Sequence, residues 1–305
     1  MSINKTINSL SAKTLNEKLR GSGLVILIGP FVFCIKSPLP SIATNVHRLY
    51  GDFQLLSDND LVDFYVTIKK PLGIRRYLKP QINFYCDDHS PFLPLPVNQA
   101  FALLEWGMNW CIAQHAHRYL LLHSAVLEKN GKTVILPAQS GSGKSTLCAL
   151  LAQSGWRLLS DEMALIDNVS YQIQALARPI SLKNESIDII QTFSPDAIMG
   201  QVVDDTNKGT ISHLKPSTES VKQLNQQTAP FAIVFPVYEK NSKIIENKVD
   251  KADAFMKIIQ NSFNYGLLGE VGFNTVEQLI DNSHCHALKY SQTDDALNFF
   301  DRLVN

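Results

Sequence analysis

Nine residues in mid-chain, Ala138-Gln139-Ser140-Gly141-Ser142-Gly143-Lys144-Ser145-Thr146, combine small side chains with one cation and several hydroxyls. Small residues let a backbone wrap around an anion and aim successive N–H groups at it. The N-terminus of a following helix adds partial positive charge. In such a loop Lys144 would reach the β- and γ-phosphates of a nucleotide, and Ser145 would offer a hydroxyl to Mg²⁺. Ser140, Gly141, Ser142, Gly143, Lys144, Ser145 and Thr146 are the expected nucleotide-binding set. The pattern G-x-x-x-x-G-K-[ST] has Ala138 in place of its first glycine, which a negative φ would tolerate. Asp161 and Glu162 follow Lys144 by 17 and 18 residues. A carboxylate beside an acceptor hydroxyl can orient it and take its proton, so Asp161 is the expected general base. Hard cations prefer oxygen ligands, so Glu162 joins Ser145 as an expected Mg²⁺ ligand. The roles of the two acids could be exchanged. The chemistry implied is phosphoryl transfer from ATP with Mg²⁺.

Elements around these residues must hold them in place. Thr133–Leu136 reads as a buried strand entering the loop, and Leu147–Ala152 as a helix leaving it. That context is what a phosphate-loop match requires. Arg157–Ser160 is a short strand that delivers Asp161. Asn130-Gly131 between the apolar runs Tyr119–Leu127 and Thr133–Leu136 is a hairpin signal. A second hairpin is expected around Asn168, and further strands over 24–28, 31–35, 63–68, 81–85 and 229–238. The stretch around Phe101–His117 reads as a helix apolar nearly all round, hence core. Helices are also expected over 252–261 and 294–303. Residues 201–216 carry few apolar side chains and read as a loop. The prolines Pro91, Pro94 and Pro96 mark a break, which divides the chain into an N-terminal β-rich α+β segment (1–95) and a second domain (96–305).

The chain has 305 residues, zero formal net charge and 45% hydrophobic residues, enough for one or two packed cores. Zero net charge offers no global electrostatic case for nucleic acid or a membrane surface. Five scattered cysteines without a CxxC pair suggest neither a disulfide framework nor structural zinc. His284-Cys285-His286 lacks a second ligand pair at zinc spacing. Phe263, Tyr265 and Phe273 read as core aromatics. The N-terminal stretch MSINKTINSLSAKTLNEKL has no apolar core of signal-peptide type, and a cytoplasmic protein is expected.

The order of a His, the loop and an acid pair at this close spacing resembles the HPr kinase/phosphorylase family. His123 in Leu121-Leu122-His123-Ser124-Ala125-Val126 stands where the family has its His, and Asp161-Glu162 where it has Asp-Asp. The runs LPAQSGSGKSTL, GWRLLSDEMALI and ARPISLKNESIDII, with Lys208-Gly209-Thr210, are similar to the branch called HPr kinase-related kinase A. The resemblance spans roughly residues 100–300. It implies an α/β P-loop kinase core of the HPr kinase (PEP carboxykinase-like) type with a mixed sheet. It also implies a catalytic role for His123, which could hold Asp161 by a hydrogen bond. A lone His beside an apolar run is otherwise more often a satisfied core residue. Arg178, Lys183 and Lys208 become the residues expected to steady the transferred phosphoryl group or close over substrate. The family's metal-binding Glu and its Arg align with Ser181 and Lys183, a departure that bears on HPr as substrate and on any reverse reaction. The acceptor implied is a Ser or Thr of a protein or peptide, with a separate peptide-recognition protein as a further partner and a homo-oligomer left open. A small-molecule kinase and a non-catalytic nucleotide-binding regulator are the alternative readings.

Overall fold

The computed structural model describes residues 5–72, 80–139 and 141–305. Ser140, one of the expected nucleotide-binding residues, lies outside them. The chain forms two compact units, Met1–His115 with Ile198–Lys215, and Ala116–Ala197 with Pro216–Asn305. This is not the division expected at residue 95, for a physical reason given below.

The first unit begins with α1 (Ala12–Arg20), capped where the Ser11 hydroxyl accepts from the Thr14 N–H at 3.1 Å. Strands β1 (Leu24–Ile28) and β2 (Phe31–Lys36) form an antiparallel hairpin whose turn uses Gly29 at φ 59°. Helix α2 (Pro40–Leu49) starts with proline in its first turn, where no N–H is needed. It is followed by β3 (Phe64–Lys69), β4 (Gln81–Cys86) and β5 (Leu95–Pro96). Among the described residues these five strands make one sheet in the order β1-β2-β3-β4-β5. Helix α3 (Ala100–His115) is almost wholly apolar and packs on β3 and β4. Gly107 lies so close to the Phe84 ring that a Cβ there would sit 2.0 Å from it. Helix α3 therefore belongs to the first core, which moves the boundary from 95 to 115. Its one buried acid, Glu105, accepts from the Tyr50 hydroxyl at 2.6 Å.

The second unit carries an eight-stranded mixed sheet among the described residues. Strands β6 (Tyr119–Lys129) and β7 (Lys132–Pro137) form the hairpin expected at Asn130-Gly131, both at positive φ (55° and 74°). After β7 come the glycine-rich loop, α4 (Lys144–Gln153), β8 (Arg157–Ser160), β9 (Met163–Asp167), β10 (Ile173–Gln174), β11 (Ile180–Lys183) and α5 (Glu185–Phe193). The chain then enters the segment that belongs to the first unit. It contains β12 (Val203–Thr206) and β13 (Gly209–Leu214), an antiparallel pair where a loop was expected. The Thr206 hydroxyl donates to the Gly209 carbonyl at 2.6 Å and accepts from the Lys208 N–H at 3.1 Å, tightening a polar turn that hydropathy alone reads as coil.

The second unit resumes with α6 (Thr218–Lys222), β14 (Pro230–Tyr238), β15 (Ile245–Lys248), α7 (Lys251–Gln260), α8 (Tyr265–Leu268), α9 (Glu270–Asp281), β16 (His284–Tyr290) and α10 (Thr293–Val304). The strand order is β10-β9-β6-β7-β14-β16-β15, with β8 also on β6. Strands β7, β14 and β16 run parallel. Phe263 and Phe273 are not core residues as expected: they are 50% and 47% exposed. Phe263 lies in the turn before α8, and Phe273 on the solvent-facing side of α9. Among the described residues no helix is long and apolar enough to cross a membrane.

The lower half of β6 lacks a strand on its β7 side and is sealed instead by residues 261–264. The His123 N–H donates to the Asn261 carbonyl at 2.7 Å, and the Phe263 N–H to the Leu121 carbonyl at 2.9 Å. Asn264, 2% exposed, accepts from the Leu121 N–H at 2.9 Å and donates to the Tyr119 carbonyl at 2.8 Å. Asn264→Ala leaves both groups buried without these partners and is expected to cost about 2–4 kcal/mol. Urea unfolding checks this. A loss below about 0.5 kcal/mol would mean that water replaces the amide without penalty.

Candidate nucleotide site

The site is built from register. On one side of β6, Val126 pairs with Ser160 of β8 and His123 with Met163 of β9. Asp161 and Glu162 therefore interrupt the ladder at the level of Ser124 and Ala125. On the other side of β6, Ser124 and Ala125 pair with Pro137 and Leu136, the last residues of β7. The acid pair and the start of the glycine-rich loop thus lie at the same end of the sheet, two strands apart. Because β8 is antiparallel to β6, and β6 to β7, both segments leave the sheet at carboxyl ends of strands, the usual location of ligands in α/β sheets.

The loop itself needs glycine. Gly141 and Gly143 hold φ of 89° and 85°, a left-handed region that L side chains avoid. Gly143 caps α4 and brings no side-chain acceptor of its own, so the first-turn N–H groups face the loop. Helix α4 is fixed beneath them by Leu147, Leu150 and Leu151, all buried. Ala138, standing where the loop pattern has glycine, is 7% exposed and outside the positive-φ set.

Two opposite charges are buried at this end. Lys144 and Asp161 are each 5% exposed. The Lys144 Nζ and the Asp161 Oδ1 make no hydrogen bond among the described residues, and the same holds for the Ser142 and Ser181 hydroxyls. The Asp161 Oδ2 accepts from the Ser181 N–H at 3.1 Å. Burial raises the Asp161 carboxyl from 3.8 to about 6; Glu162 pushes the same way, while Lys144, the Ser181 N–H and the Ser145 hydroxyl pull it down. Burial likewise lowers the Lys144 ammonium, opposed by attraction to Asp161 and Glu162 and assisted by repulsion from Lys183. A buried cation without a full set of acceptors is costly unless something anionic completes it. Carboxylates and a hydroxyl are also the donor chemistry that suits Mg²⁺. No group of three or more His, Cys, Asp or Glu residues arranged for a metal occurs among the described residues. Any Mg²⁺ here would therefore draw part of its shell from phosphate oxygens and water.

The structure gathers Lys144, Ser145, Asp161, Glu162 and Lys183 through these mutual effects. Gly141, Ser142, Gly143 and Thr146 lie on the loop or first turn beside them. Arg178 is buried in the segment between β10 and β11. His123 faces the Phe263 ring at 5.9 Å between centroids. Lys208 lies in the first unit, its ammonium 5.0 Å from the centre of the Trp106 ring. Three neighbours were not among the expected site residues. The Ser181 backbone holds the acid, and Tyr238 and Tyr290, the last residues of β14 and β16, flank the loop. The Tyr238 N–H donates to the Ser142 carbonyl at 3.2 Å.

A family model described as SynChlorMet cassette protein ScmC matches residues 101–188, the span from α3 through the loop and acid pair into α5. That is under a third of the chain, and over it the chain is similar to that family. No curated protein matches. Among solved structures, the Hpr(Ser) kinase/phosphatase from Coxiella burnetii is similar at 13% identity over 60% of this chain and 93% of that one, with a TM-score of 0.27. So low a score adds nothing to the geometry above.

The raised carboxyl has a consequence for stability. Between about pH 4 and 6, folded Asp161 keeps a proton that the unfolded chain has released, so stability falls as pH rises through that window. Asp161→Asn removes the effect. In metal-free buffer the stability of the wild type relative to this variant is expected to fall by on the order of 3 kcal/mol from pH 4 to 7, then level off. Denaturant midpoints across pH would show it. A difference independent of pH would contradict the raised carboxyl.

Proposed function

We propose that this protein is an ATP- and Mg²⁺-dependent kinase that transfers the γ-phosphoryl group to a hydroxyl, a Ser or Thr of a protein or peptide. One observation carries the reading. A buried ammonium and a buried carboxylate, each with an unbonded polar atom, lie together where a glycine-bearing loop opens onto a helix N-terminus. A kinase site needs a fixed cation for the phosphates and a base for the acceptor, held apart from bulk water. The sequence resemblance to HPr kinase-related kinases supports the same class and supplies the acceptor type.

Lys144 and the first-turn N–H groups of α4 would bind the β- and γ-phosphates. Ser145 and Glu162 would hold Mg²⁺, which when bound offsets the negative charge of the phosphates. Asp161, aligned by the Ser181 N–H, would take the acceptor proton at Oδ1, the oxygen without a partner. A carboxyl at about 6 is mostly ionised at neutral pH yet more basic than an exposed aspartate. Arg178 and Lys183 are proposed to steady the transferred group. His123 is proposed to position the acid.

Lys144→Ala is expected to lower transfer of labelled γ-phosphate by about 100- to 1,000-fold, the cost of removing one preorganised charge. Near wild-type transfer would refute the kinase reading. The two acids separate by a different comparison. Asp161→Asn should keep Mg·ATP affinity within about threefold while transfer collapses, because an amide takes no proton. Glu162→Gln should weaken Mg²⁺-dependent affinity first, as a neutral oxygen is a poorer ligand for a hard cation. Calorimetric affinity beside single-turnover transfer distinguishes them, and the opposite pattern would exchange the roles.

A further inference from the structure

We infer that Tyr238 is the platform on which the nucleotide base stacks. The inference rests on the nucleotide reading above and adds where the base lies and how it is read. Along the sheet, the acid pair and the two tyrosines are on opposite sides of the glycine-rich loop. Asp161 follows β8, reached from β7 through β6, whereas Tyr238 ends β14, the neighbour of β7 on the other side, and Tyr290 ends β16 beyond it. The strands carrying the loop and both tyrosines run parallel, so all three ends open on one edge. A triphosphate whose γ end lies with Asp161 and Glu162 must extend its α end, and with it the nucleoside, away from the acids. That direction is toward β14.

Tyr238 is built to meet it. Its N–H is bonded to the Ser142 carbonyl, and a Cβ on Gly143 would come within 3.0 Å of the Tyr238 Cβ. Its ring meets the Tyr290 ring at 5.8 Å and 72°, an edge contact that limits its rotation. Tyr290 itself is buried at 3% exposure, with its hydroxyl 3.5 Å from the position of a Gly143 Cβ. Beyond Tyr238, the Glu239 N–H donates to the Tyr290 carbonyl at 2.9 Å, so the turn after β14 is tied to the end of β16. Yet Tyr238 remains 49% exposed. An aromatic residue fixed through its backbone N–H, its Cβ and one ring edge, and left half open beside a phosphate loop, has the features of a stacking surface. Stacking uses the face of a base, which all bases share, so the site should be tolerant of base identity.

The test compares ATP, GTP and inorganic tripolyphosphate, each with Mg²⁺, by calorimetry on the full chain. The variants are Tyr238→Leu, which keeps bulk against Gly143, and Tyr238→Phe, which keeps the ring. Tyr238→Leu is expected to weaken ATP and GTP alike by about 10-fold or more, with tripolyphosphate unchanged and Tyr238→Phe close to wild type. Unchanged nucleotide affinity in Tyr238→Leu would overturn the inference while leaving the kinase reading intact. So would an equal loss for tripolyphosphate, which would make Tyr238 a brace for the loop. A wild type that binds neither nucleotide nor tripolyphosphate would overturn the nucleotide reading itself. Thermal melting of each variant verifies folding before the comparison.

Discussion

The buried Lys144–Asp161 pair is the constraint on which the site depends. Each charge would be expensive alone, and their attraction offsets only part of the cost, since Lys144 is lowered and Asp161 raised despite it. Much of the second unit can be understood as the apparatus that holds this pair. The β6–β7 hairpin sets the loop and the acids at one level. Helix α4, anchored by three buried leucines, fixes the lysine. Strand β11 contributes one N–H that aims the carboxylate. A structure that keeps two poorly satisfied charges in its interior has kept something other than stability. The proposed role, completion by phosphate and metal, accounts for why the cost is retained.

The loop and its glycines were legible in the sequence, because they are local. Gly141, Gly143, Lys144 and Ser145 are contiguous, and the acids arrive one short helix and one short strand later. Asn130-Gly131 declared its hairpin for the same reason: its conformation is set by the two residues themselves. What was hidden is non-local. Pairing of β14 with β7 and β16 joins residues far apart in the chain, 98 positions for Ile135 and Ile233 and 52 for Ala232 and His284, and no short sequence window contains both. Tyr238 and Tyr290 therefore looked like ordinary strand residues until the parallel ladder brought them to the loop.

Long-range packing also overrides local signals. Helix α3 followed a proline-marked break and seemed to open the second domain, but its apolar surface matches the sheet of the first unit. The segment 201–216 was too polar to suggest strands, yet the Thr206 side chain and the left-handed Gly209 close a tight turn between β12 and β13. Phe263 and Phe273 are of a core residue type yet stand 50% and 47% exposed. Hydrophobicity gives a tendency to burial, which a turn or the outer face of a surface helix does not always fulfil. Ser181 stands where the resemblance places a glutamate, whereas its contribution is a backbone N–H that any residue but proline could supply.

The most direct measurement is a structure of the protein with Mg²⁺ and a non-hydrolysable ATP analogue. The account requires β- and γ-phosphate oxygens within about 3 Å of the Lys144 Nζ and of first-turn N–H groups of α4. It also requires the terminal phosphate on the Asp161 side of the loop and the base on the Tyr238 side. An analogue bound elsewhere, or bound at the loop with the Lys144 ammonium still free of phosphate, would contradict it.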